Sequence, residues 1–176
     1  DKDHTYSVPY FYGTLGLLYN KNEVDASAVA SWDCLWDASY KDEIIMENSV
    51  RDTFAPALVS LGYSINETDE SHLREALDIL KKQKDNGIVY AYYVDETADS
   101  MIAEDAKIAL CYSGEAALAM NENENLTYSV PKEGSNLWID SWFIPKSAKN
   151  TDAAMKFLNF ICRDDIAEAN FEYVQY

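Results

Sequence analysis

The chain has 176 residues, 48% of them hydrophobic and including 13 Tyr, 6 Phe and 4 Trp; that is enough apolar material for one domain with a real core, and it excludes a disordered chain. Its 14 basic and 31 acidic residues leave a formal net charge of −17, which argues against nucleic acid, whose phosphates require clustered Lys and Arg, and suits a cationic ligand or plain solubility. No apolar run approaches the roughly 20 residues that span a bilayer.

In chain order, Asp1 to His4 is polar and is expected to fray. "YSVPYFYGTLGLLYN" alternates aromatic, small and apolar residues and predicts one extended strand, or two, in a buried sheet. After a polar connection, Ser31 is a good N-cap for a short helix over "WDCLW". "EIIME" predicts a short strand. In "NSVRDTFAPALVSLGY", Phe54, Ala57, Leu58 and Leu61 recur at helical spacing and Gly62 stands where a helix stops; Pro56 is expected to kink the first turns or to delay the regular part. "NETDESHLREALDILKKQKDNG" is the clearest helix, with Leu73, Leu77 and Leu80 as its stripe, acids first, lysines last and Gly87 after. "IVYAYYV" predicts a strand, "ADSMIAEDA" a short helix, and "KIALCYS" a strand ending in a Gly114 turn before the helix "GEAALAMNEN". "LTYSVP" and the apolar run Leu137 to Ile144 predict two more strands, and "TDAAMKFLNFICRDDIAEANFEYV" one long or two short helices. Alternating strands and helices predict an α/β domain with a mixed, mostly parallel sheet flanked by helices.

Cys34, Cys111 and Cys162 have no CxxC spacing and sit among apolar residues, so all three are expected to be buried free thiols. His4 and His72 are far apart, with no metal-ligand spacing, and no nucleophile–base pair stands out; neither a metal nor a cofactor is expected.

Three places carry candidate chemistry. Trp138, Asp140 and Trp142 are two apart on a predicted strand and therefore share a face. An indole beside a carboxylate fits an organic cation; a solvated strand edge fits the same pattern. Ser49 and Asp52 open a helix after a strand and could meet a ligand, although Ser49-x-x-Asp52 also resembles a capping box with Asp in place of Glu, which the spacing alone favours. Tyr112 and Ser113 end a strand, and ligands gather at the carboxyl ends of strands in open α/β sheets.

The segments "YSVPYFYGTLGLLYN", "SWDCLWDASYKDEIIMENSVRDTF", "LGYSINETDE", "IALCYSGEA", "VPKEGSNLWIDSWFIPKSAKN" and "AMKFLNFICRDDIAE", in this order, resemble the solute-binding proteins of bacterial polyamine ABC importers, the spermidine/putrescine class. "PKEGSNLWIDSWFIP" is the most specific of them. The resemblance implies the second lobe of a type II periplasmic-binding-protein-like fold over residues 1–176, with the first lobe missing and "FEYVQY" at the return crossing. It implies a non-enzymatic, extracytoplasmic component, periplasmic or a cell-surface lipoprotein, that hands a polyamine to an ABC permease. The family's aromatic–acid pair matches Trp138 and Asp140, its aromatic after the central strand matches Tyr112, and its loop acid matches Asp52. A second loop position, acidic in the best-known members, is Ser49 here; one charge is gone, and the preferred polyamine stays open. Alternatives are a lobe of the same fold for a sugar or an amino acid, an acid-pair hydrolase, or a plain interaction module.

Overall fold

The computed structural model describes residue 3 and residues 5–174. The fraying expected of Asp1 to His4 therefore falls, Asp3 apart, outside the described residues, as do His4 and the last two residues of "FEYVQY". The chain divides into two compact units, Thr14–Asn136 and Asp1–Gly13 with Leu137–Tyr176.

The larger unit holds most of strand β1 (Val8–Asn20), then β2 (Ile44–Glu47), helices α1 (Val50–Ser60) and α2 (Glu70–Asp85), β3 (Val89–Tyr93), α3 (Thr97–Ile102), β4 (Ile108–Tyr112), α4 (Ser113–Glu122) and β5 (Leu126–Ser129). The strand order is β3-β2-β4-β1-β5. β2 runs parallel to β3 and β4, and β1 is antiparallel to β4 and β5, with Leu15 opposite Tyr112 and Leu17 opposite Ser129. The sheet is mixed and flanked by helices, as expected, but among the pairings described two are parallel and two antiparallel, so it is not mostly parallel: β1 runs against both β4 and β5.

Strand order dictates where the helices lie. The step from β2 to β3 moves one way across the sheet, and the step from β3 to β4 moves back past β2. Right-handed crossovers then put their helices on opposite faces. Side-chain alternation shows the result. Ile44, Met46, Ile108 and Leu110 pack with Trp32, Leu35, Leu58 and Leu80 on the α1–α2 face. Ile45, Ala109 and Cys111 pack with Ala98, Met101, Ala116 and Ala119 on the α3–α4 face. β2 is buried on both sides, which is why "IIM" reads as continuously apolar.

Local chemistry explains the helix ends. Ser31 Oγ accepts from the Asp33 amide at the start of a 3-10 turn, Trp32–Trp36. Asp69 caps α2 by accepting from the Ser71 amide at 2.8 Å, Lys82 and Lys84 stand in the last turn, and Gly87 follows with φ 67°. Two expectations change. α1 runs unbroken from Val50 through Pro56 to Ser60, because the only bond Pro56 forgoes is the one its missing N–H would have made to Asp52, and Ser60 Oγ returns to the Pro56 carbonyl at 2.8 Å. There is also no Gly114 turn: Ser113 is the first residue of α4, Gly114 is helical and buried, and Tyr112 ends β4 directly against the helix.

Gly16 matters for close approach. A Cβ there would lie 2.4 Å from Tyr128 Cζ and 2.8 Å from the Ser129 carbonyl oxygen. Tyr128 cannot retreat freely, since its hydroxyl donates to the Thr14 carbonyl at 2.9 Å and lies 3.1 Å from Thr14 Oγ1. Gly16→Ala is expected to destabilise the fold by about 1–3 kcal/mol, as overpacking does, and thermal unfolding of the two proteins checks it.

The smaller unit holds β6 (Leu137–Trp142), which pairs with β1, and helices α5 (Thr151–Ile161) and α6 (Asp164–Val174). The C-terminal region is thus two helices. Trp142 meets Tyr10 and Phe157 edge-on, at ring-centroid distances of 5.2 and 5.9 Å. Asn150 caps α5 through the Ala153 amide at 3.0 Å. Cys34 and Cys111 are buried free thiols, as expected, with the Cys34 thiol pushed up to about 12 by burial. Cys162 departs from that expectation: it is exposed, one residue past Ile161, where the chain turns away from the face shared by Ala154, Leu158 and Ile161.

Candidate functional site

The carboxyl ends of β2 and β4 are neighbours because the two strands pair in parallel, Ile44 beside Ile108 and Ile45 beside Ala109. The chain leaving β2 therefore meets the chain leaving β4. Ser49, in extended backbone at φ −130°, is the N-cap of α1, and its Oγ accepts from the Asp52 amide at 3.4 Å. The same hydroxyl donates to Asp52 Oδ2 at 2.7 Å. Asp52 is thus held by the cap without serving as the cap acceptor. From β4, the Tyr112 hydroxyl donates to Asp52 Oδ2 at 2.6 Å. Asn136 Nδ2 donates to Asp52 Oδ1 at 3.4 Å.

These bonds converge on a carboxylate that is only 7% exposed. Among the described residues three donors occupy three of its roughly four acceptor positions, which leaves one for a further donor. Among the described residues no Lys, Arg or His forms an ion pair with it. The Tyr112 hydroxyl is pushed well above its usual range, first by burial and then by its bond to Asp52. Tyr112 is thus held as a neutral phenol that donates to the Asp52 carboxylate.

The sequence-predicted residues Ser49, Asp52 and Tyr112 are therefore brought together within the larger unit. Trp138 and Asp140 belong to the smaller unit, where both lie on β6 and, two residues apart, share a face; Trp138 is half-buried and Asp140 exposed. Trp142 shares that alternation, and its ring packs against Tyr10 and Phe157.

Two participants escaped the sequence reading. Asn136 lies inside "PKEGSNLWID", and nothing in its type or spacing marks it. Its backbone carbonyl accepts from the Leu15 amide at 3.2 Å, which pins it beside β1 and aims its side chain at Asp52. Glu47 ends β2 and is fully buried, with neither carboxyl oxygen hydrogen-bonded. An acid closing an apolar strand was its only signal. Burial, then the charges of Glu115, Asp52 and Asp95, push Glu47 up to about 8. Glu115, which accepts from the Tyr112 amide at 3.4 Å, is pushed up to about 7, mainly by burial.

Both shifts raise the folded-state value above the unfolded one. The stability that these two groups contribute is complete below about pH 4.5 and is lost as pH rises through about 7 and about 8. The melting temperature is expected to fall between pH 5.5 and 8.5, and to fall less in Glu47→Gln. The lowered acids Asp25, Asp37, Glu67, Asp69 and Glu133 act in the opposite sense, on the acid side of that window.

His72 does not join any of these groups. It stacks on Tyr63 at 3.9 Å, and its Nδ1 lies 3.0 Å from Glu67. Among the described residues no cluster of acids, cysteines or histidines is placed to hold a metal ion, and no helix is long and apolar enough to cross a membrane.

The chain is 34% identical over 176 residues to the spermidine/putrescine-binding periplasmic proteins of Salmonella typhimurium and of Escherichia coli, covering all of this chain and 50% of theirs. The chain thus spans about half the length of the curated relatives it matches. Among solved structures, a putative spermidine/putrescine ABC transporter protein from Listeria monocytogenes superposes with a TM-score of 0.91 at 42% identity, covering 99% of this chain and 53% of that one. The spermidine/putrescine substrate-binding protein PotD from Streptococcus pneumoniae superposes at 0.83 with 42% identity, covering 98% and 53%. The family described as bacterial extracellular solute-binding protein matches residues 1–176. A chain matched along its whole length, in sequence and in fold, belongs to the bacterial extracellular solute-binding protein family.

Proposed function

We propose that this chain is one lobe of a two-lobed, extracytoplasmic solute-binding protein that captures a polyamine and delivers it to an ABC permease. The observation that carries the reading is Asp52: a buried carboxylate at the carboxyl edge of the sheet, held by Ser49, Tyr112 and Asn136, with no ion-pair partner among the described residues. An alkylammonium supplies what the site needs, a charged donor for the open acceptor position, and such charge-assisted bonds are the strong ones. On the smaller unit, taken by itself, Trp138 and Asp140 offer an aromatic face and a carboxylate, a pairing that also suits an amine. The names of the relatives, most of which bind spermidine or putrescine, point the same way. The smaller unit exposes Leu137, Ile139, Phe143 and Phe171, each more than half accessible. Apolar surface of that kind is usually covered, and a first lobe from the same protein, in keeping with relatives twice as long, is the partner we assign to it.

Isothermal titration of the two-lobed protein with putrescine, spermidine and neutral solutes tests the reading. Polyamine binding with no response to sugars is the expected result; binding of neutral solutes alone would overturn it. Within that experiment, Trp138→Leu is expected to lose about 1–2 kcal/mol of affinity through the missing cation–π contact. Asp140→Asn should lose more, with both variants folding normally, since neither side chain belongs to a buried cluster.

A further inference from the structure

Glu47 is the most unusual side chain in the larger unit: a carboxyl with no accessible surface and no hydrogen bond on either oxygen. Its position follows from the strand. It alternates with Met46 and lies on the same side of β2 as Ile45, so it faces the α3–α4 layer while its backbone carbonyl accepts from Thr53 Oγ1. The titratable groups around it come from every neighbouring element: Asp52 on α1, Asp95 before α3, Cys111 and Tyr112 on β4, and Glu115 on α4. None of them is cationic. A carboxyl in such a place holds its proton, because ionising it would bury an unpaired charge among other acids.

It also lies beside the start of α1, where Thr53, the residue after Asp52, donates its hydroxyl to the Glu47 carbonyl, and the charge of Asp52 helps to raise it. We propose that Glu47 is the proton-linked partner of the cation site: it is neutral in the unliganded protein and releases its proton to solvent when an ammonium is held at Asp52. The O–H bond of the carboxyl breaks, the proton goes to buffer, and the arriving positive charge compensates the carboxylate left behind. Linkage makes the effect reciprocal, so a protein that sheds protons on binding binds more tightly as pH rises. The inference rests on the polyamine reading above and names the residue that would set its pH dependence.

The experiment is putrescine titration calorimetry on the two-lobed protein at pH 7.5 in phosphate and in Tris, whose different ionisation heats report the protons released. It is repeated from pH 6.5 to 8.5. Wild type is expected to release a substantial fraction of a proton, and to gain about tenfold in affinity across that range. Glu47→Gln, identical in shape and unable to ionise, should release less and gain about threefold or less, the remainder belonging to Glu115. The wild-type measurement stands alone if the variant folds poorly: affinity independent of pH and of buffer overturns the inference. Equal proton release by wild type and a folded Glu47→Gln also overturns it, while leaving the polyamine reading intact. Absence of putrescine binding at every pH overturns both.

Discussion

Asp52→Asn is expected to weaken polyamine binding by about 2–5 kcal/mol, the range for removing one partner of a buried charge pair, and to lower the melting temperature only slightly. The two effects separate because of where the bonds run. The helix cap is Ser49 Oγ accepting from the Asp52 amide, and a backbone amide survives the substitution. What the substitution removes is the charge and one acceptor oxygen, the features that Ser49, Tyr112 and Asn136 surround. Titration calorimetry and thermal unfolding on the same preparation distinguish the outcomes. A large drop in melting temperature with unchanged affinity would make Asp52 a structural residue. Tyr112→Phe is the companion variant: it removes one donor from Asp52 while keeping the ring, and should cost affinity by a smaller amount, about 1 kcal/mol.

The second large effect is on stability. Trp32→Ala is expected to cost about 3–5 kcal/mol, the usual penalty for truncating a fully buried aromatic. Trp32 is 1% exposed and lies in the cluster on the α1–α2 face with Leu15, Leu35 and Met46. Its indole Nε1 also donates to the Gly134 carbonyl at 3.0 Å, so truncation strands that carbonyl as well as opening a void. Gly134 is two residues before Asn136. Loosening this anchor is therefore expected to reach the site too, as weaker ligand binding in whatever fraction remains folded. Trp36→Phe, which keeps most of the ring volume and loses only the 3.1 Å bond to Ser60 Oγ at a partly buried position, should cost about 1 kcal/mol. Chemical denaturation of both variants against wild type gives the comparison.

Strand and helix placement followed the local pattern closely where the pattern had a single cause. α2 has an Asp cap, an apolar stripe, terminal lysines and a left-handed Gly, and all four agree. Gly114 misled because a glycine after a strand suits either a turn or a tightly packed first helical turn, and only the burial of Gly114 within α4 selects the second. At Pro56 the regular helix is not delayed: α1 begins at Val50, directly after the Ser49 cap, and includes the proline.

What the sequence determines by itself about this protein is local and chemical: an acidic α/β chain, the Ser49 cap three residues before Asp52, and an indole–carboxylate pair on one face of β6. These follow from backbone geometry within a few residues and need no knowledge of the rest of the chain. The order β3-β2-β4-β1-β5 was decided only by the tertiary structure. That order sets Tyr112 against Asp52 across 60 residues and Asn136 against it across 84. It also turned Glu47, an acid that ends a short strand, into a sealed carboxyl. Strand pairing is a long-range choice among many registers of similar local quality, settled by burying both faces of β2 at once. The charge state of a side chain follows from that burial, which no neighbouring residue in the chain can announce.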